Sequence, residues 1–185
     1  QFGLGLEYDN EWIKEASSTT SLSAINDDLP QSEFSITLNN DNQIFNVDNP
    51  ASEINFLESG QKINVLMGYK LDSGSVEWMQ MHSLYVHEWS ADDEQATIKA
   101  VDVLQFMSDE YHKGEYYTDG ISLYDLAEQV FADAGITPDE YDIDTYLKKV
   151  KVHNPLPNVT HKEALQIIAN AGRCVLDYDR YGRIR

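Results

Sequence analysis

A single cysteine, Cys174, excludes an internal disulfide framework and fits a reducing compartment. Basic side chains are scarce, 13 against 32 acidic ones, for a net charge of −19. Phosphate contacts need clustered Lys and Arg, so the chain reads as a poor binder of nucleic acid and of anionic membranes, and no sequence-specific nucleic-acid partner is expected. No apolar run approaches the ~20 residues that a membrane helix needs, so no membrane insertion is expected. Signatures of chemistry are also missing. There is no Gly-x-Ser-x-Gly elbow, and Gly3-Leu4-Gly5 lacks the third glycine and following helix of a dinucleotide fingerprint.

At 42% hydrophobic residues the chain is nonetheless globular. The acidity is uneven. Residues 1–110 carry 20 acidic and 4 basic side chains, and residues 111–185 carry 12 and 9. The sequence opens on Gln1 and closes at Arg185 inside what reads as an unfinished strand, so a piece of a longer protein is expected.

Residues 1–101 read as strands. Phe34, Ile36 and Leu38 alternate with polar residues, and Asn39-Asn40-Asp41-Asn42 supplies a turn. Residues 62–69 form another strand, which Asp72-Ser73-Gly74-Ser75 turns into a run over residues 76–81. Residues 43–59 show no clean period and read as an ordered connection. From Met81 to Met107 the pattern is a β-hairpin feeding a helical turn. Leu84, Val86 and Trp89 lead into the acidic turn Ser90-Ala91-Asp92-Asp93-Glu94, residues 96–101 return, and Asp102 is placed to cap the turn.

The character changes after Tyr111, at the polar run Lys113-Gly114-Glu115-Tyr116-Tyr117-Thr118-Asp119-Gly120. Ser122 with Asp125, and Thr160 with Glu163, mark two helix starts with capping-box spacing. Leu123, Leu126, Ala127, Val130, Phe131 and Ala134 make one apolar face, ended by Gly135. Leu165, Ile168, Ala169 and Ala171 make the other, ended by Gly172. Residues 147–152 and 174–178 read as short strands, the second turning through Asp179-Arg180-Tyr181-Gly182 into Arg183-Ile184. The predicted fold is α+β: a β-barrel-like domain over residues 1–110, then a small α/β domain over residues 111–185 with two helices and short strands, cut off in its last hairpin.

Candidate sites are few. His82 and His87 stand five apart on strand pattern, which places them on opposite faces, and His161 falls in a helix first turn, a commonly solvated position. The loop at Asn40-Asp41-Asn42 lacks the glycine and the distal Glu of a calcium loop. Asn158-Val159-Thr160 reads as a helix cap, and Cys174 as a small core residue. Catalytic, cofactor-binding and metal-ligating residues are assigned to none. Trp12, Trp78 and Trp89 remain as an interface or a sugar-stacking platform, since Tyr and Trp are enriched where proteins meet. Asp27, Asp28, Asp92, Asp93 and Glu94 form an acidic set.

The order of motifs resembles the baseplate-hub and tail-tip proteins of phages and prophages, the group related to the T4 and Mu hubs. The matching stretches are Trp12-Ile13-Lys14-Glu15-Ala16, Ser35-Ile36-Thr37-Leu38-Asn39, residues 60–69, Tyr85-Val86-His87-Glu88-Trp89 and residues 98–104. Ser122-Leu123-Tyr124-Asp125-Leu126-Ala127, residues 163–169 and residues 178–184 continue it. The resemblance implies a non-enzymatic structural subunit of a virion tail, made in the bacterial cytoplasm. It would join the tail tube to a distal spike or fibres by ring assembly, as a homo-oligomer, commonly a trimer. It would use no cofactor, and its acidic set would line a lumen that DNA passes. The alternative is a carbohydrate-binding module for cell-wall glycans, or part of a tail-associated cell-wall hydrolase.

Overall fold

The alternation at residues 32–38 puts Phe34 and Leu38 into a core, while Glu33 is exposed and Ser35, Thr37 and Asn39 are half-buried. The computed structural model describes Tyr8 and residues 11–22, 29–46 and 48–185. Five strands, β1 (Ile13–Ser21), β2 (Gln31–Asn39), β3 (Lys62–Lys70), β4 (Val76–Ala91) and β5 (Gln95–Val101), form one sheet in the order β1-β2-β5-β4-β3. The fold is α+β, a curled antiparallel half-barrel sheet with two helices and short strands.

The chain divides into two compact units, each drawn from more than one segment. The first takes the described residues within Gln1–Thr19, Ser32–Ile63 and Leu84–Val101. Its core is Leu38, Phe45, Val86, Ala96 and Ile98. Register explains this set: Leu38 faces Ala96 and Ile36 faces Ile98 across β2 and β5, while Trp89 faces Ile98 across β4 and β5. Val86 and Trp89 are three apart and would fall on opposite faces of a regular strand. A bulge between Val86 and Glu88, where His87 is the extra residue, resets the parity so that both pack on the same core.

The connection over residues 43–59 is built on a period that an apolar scan cannot detect. The backbone N–H groups of Gln43, Asn46, Asn49, Ser52 and Asn55 each donate to the carbonyl three residues back, from Asn40 onward. Asn side chains brace the string. The Asn49 amide donates to the Gln43 carbonyl (3.3 Å), and the Asn55 amide to that of Asn49 (2.9 Å). Short polar side chains that bond locally to backbone favour such turns over helix or strand.

The second unit takes the described residues within Thr20–Gln31, Asn64–Ser83 and Asp102–Arg185. It contains β6 (Glu110–Tyr111), β7 (Ile121–Ser122), β8 (Lys151–Val152) and β9 (Val159–Thr160), paired β6 with β9 and β7 with β8. Helices α1 (Leu123–Asp133) and α2 (His161–Gly172) pack their apolar faces together with Leu104, Tyr111, Leu147 and Ile184. Both starts use the predicted caps. The Ser122 hydroxyl accepts the Asp125 N–H (3.0 Å), and Thr160 with Glu163 closes a full capping box.

Four local expectations are corrected. The runs that met at Met81 are one 16-residue strand, β4. Residues 147–152 are not a strand: Asp144 accepts the Tyr146 N–H (2.8 Å) and starts a 3-10 turn over Thr145–Lys149, leaving only β8 to pair. Gly172 is the last residue of α2 but is not its left-handed cap. Arg173 takes the left-handed position (φ 55°), and the Cys174 N–H closes back onto the Ala169 carbonyl (2.9 Å), so pairing of the last hairpin starts only at Asp177. Asp102 stands at the start of the 3-10 turn Val103–Phe106, but its side chain makes no capping bond. Asp102 is buried, and Tyr178, whose hydroxyl donates to the Pro30 carbonyl (3.3 Å), is held far above the ordinary tyrosine range by burial and the nearby Asp102 charge.

Candidate functional site

The β4–β5 turn is built by one of its own acids. The Asp92 carboxylate accepts the N–H groups of Glu94 (2.9 Å) and Gln95 (2.8 Å), and these bonds hold its pKa below the usual carboxylate range. Buried Asn40 ties the turn to its surroundings. Its amide donates to the Asp92 carbonyl (2.5 Å), its side-chain oxygen accepts the Phe45 N–H (2.8 Å), and its backbone N–H reaches the Glu94 carbonyl (3.0 Å). Asp93 and Glu94 thus sit exposed on a braced turn. The predicted acidic set therefore divides: Asp92, Asp93 and Glu94 are together, and Asp27 and Asp28 lie outside the described residues.

The tryptophans also divide. Trp12 and Trp89 are half-buried on the first unit's core, Trp12 edge-on to Phe45 with centroids 6.2 Å apart. Trp78 belongs to the second unit and is 62% exposed. Its ring lies across Gly68 of β3: a Cβ at Gly68 would stand 2.7 Å from Trp78 Cζ3. One face of the indole thus covers bare backbone, as aromatic residues do beside strand glycines. The three do not form one platform.

A cluster at the helix ends was missed from sequence. His161, expected in solvent, is buried: its Nε2 is 3.0 Å from Asp133 Oδ2, and its ring meets Tyr111 edge-on at 5.9 Å. Lys113 Nζ reaches Asp133 Oδ1 at 2.6 Å. The bonds from Lys113 and then His161 hold the Asp133 pKa low, and burial pushes the Tyr111 phenol up. A carboxylate at a helix C-terminus opposes the macrodipole, and these two partners offset that cost. The arrangement ties the end of α1 to the start of α2. Spacing alone could not reveal it, because Asp133 and His161 lie 28 residues apart. Among the described residues no group of three or more His, Cys, Asp or Glu is placed to hold a metal ion.

No family model and no curated protein matches the chain. Among solved structures, the crystal structure of the prophage MuSo2 43 kDa tail protein from Shewanella oneidensis is similar, with 16% identity and a TM-score of 0.45. The alignment covers 91% of this chain and 49% of that one, so the chain spans about half the length of that protein.

Proposed function

We propose that this chain is a structural subunit of a phage or prophage tail, placed at the tail tip or baseplate hub, where it assembles into a ring between tube and distal spike or fibres. One observation carries the reading. The stretches that resemble the hub family fall on successive elements of the fold: residues 12–16 enter β1, 35–39 end β2, 60–69 make β3, 85–89 lie in β4, and 98–104 run from β5 into its 3-10 turn. Residues 122–127 open α1, 163–169 lie in α2, and 178–184 form the last hairpin. The protein then works by assembly rather than turnover, as a homo-oligomer, with residues 1–110 as the ring domain and residues 111–185 as an appended domain.

The acidic lumen belongs to the same proposal. Asp93 and Glu94, held outward on the turn that Asp92 braces, would face passing DNA and repel it. Peptide mass spectrometry of purified tailed particles tests the reading. Peptides of this chain at stoichiometric abundance in the tail fraction support it. Their absence from intact and dissociated tails overturns it.

A further inference from the structure

The hairpin over Asn64–Ser83, strand β3 with the first half of β4, exposes apolar side chains on an otherwise acidic molecule. Leu66, Met67, Tyr69, Val76, Trp78 and Met79 are each between 45% and 72% exposed. With aromatic side chains presenting 150–250 Å² and the aliphatic ones somewhat less, the exposed part is on the order of 600 Å². Divided between the two faces of the ribbon, that total leaves each face on the order of 300 Å², so a stable interface near ~800 Å² per partner would take in the β3 edge as well as the side chains. Successive residues of a strand point to opposite faces, so Leu66 and Met67, or Trp78 and Met79, put apolar groups on both sides of the ribbon.

Two further observations decide the occupant. Among the described residues β3 is a sheet edge, and between Lys62 and Lys70 it carries neither charge nor proline, the devices that usually keep an edge from pairing. The hairpin is also nearly neutral, with Lys70 against Asp72 and Glu77, in a chain of net −19. Two copies that meet through this surface avoid the carboxylate repulsion that contact through most other surfaces would bring. An anionic membrane offers no such relief.

We infer that this hairpin docks on a second copy of the chain, with Trp78, supported from beneath by Gly68, at the centre of the contact. The inference takes the ring assembly proposed above as its setting and rests on that reading for it. Its test needs only the purified chain, so either can fail without the other. Sedimentation velocity from about 1 to 100 μM on the 185-residue chain should show concentration-dependent self-association. Trp78→Glu and Met67→Glu, at exposed positions and checked for unchanged circular dichroism, should weaken it on the order of 30-fold each, the loss expected of buried interface anchors. Backbone amides in residues 64–83 should gain exchange protection with concentration in the native chain and not in the variants. A chain monomeric throughout, or variants that associate as tightly as the native chain, would overturn the inference. So would a monomer whose Trp78 instead binds cell-wall glycan fragments in calorimetry.

Discussion

His161 Nε2 lies 3.0 Å from Asp133 Oδ2, joining the first residue of α2 to the last residue of α1. The pair sits over buried Tyr111, so replacing the imidazole removes packing and a partner at once. His161→Ala should lower unfolding stability by about 1–3 kcal/mol in urea titrations.

The same pair makes a pH prediction. The folded pKa of Asp133 is depressed, first by Lys113 and then by His161. Its contribution is therefore fully present above the ordinary carboxylate pKa near ~3.9 and is lost as pH falls through the lower folded value. Unfolding midpoints measured from neutral pH to about pH 2 should fall less steeply with acid in Asp133→Asn than in the native chain. Equal slopes would show that Asp133 gains nothing from its partners.

At the far end of α2 two neighbouring residues should respond in opposite directions. A Cβ at Gly172 would land on Leu147 Cδ2, so Gly172→Ala should cost about 1–3 kcal/mol through overpacking. Arg173 holds φ 55°, a conformation that glycine adopts without strain. Arg173→Gly should raise stability by roughly 0.5–1 kcal/mol, read from the denaturant midpoint.

Asn40 gives a fourth test. Its buried side chain both donates to the Asp92 carbonyl and accepts from Phe45, so truncation strands the buried Phe45 N–H and unties the Asp92 carbonyl. Asn40→Ala should cost about 2–4 kcal/mol, whereas Asn42→Ala on the exposed side of the same loop should change little.

The acidic turn bears on function. Asp93→Lys with Glu94→Lys leaves the Asp92 bonds that build the turn in place and reverses the charge it presents. Genome ejection from fully assembled particles should slow. Unchanged kinetics would remove these residues from any lumen.

What could be read in advance followed from local physics. Period-two alternation gave β2, the flanking turn signals gave β3, and the Thr160–Glu163 and Ser122–Asp125 spacings gave both helix starts, because the sequence signal and the physical cause lie within a few residues. What escaped depended on partners distant in sequence or on periods without apolar content. The parity change at His87 is set by register with β5. The turn string from Asn40 to Asn55 repeats every three residues in polar side chains, which a search for apolar faces passes over. Asp102 is buried near Tyr178, 76 positions away, and does not make the cap its position suggested. Of the sites, the exposure of Trp78 and the burial of Trp12 and Trp89 needed the tertiary fold, since all three sit in similar strand-like surroundings in the sequence.

Immunogold electron microscopy of induced particles, with antibody raised against this chain, would place the protein along the tail. Gold is expected at the distal end of tails, with labelling of dissociated tails where the assembled ring hides its epitopes. Particles whose intact and dissociated tails both remain unlabelled would contradict a place in the tail.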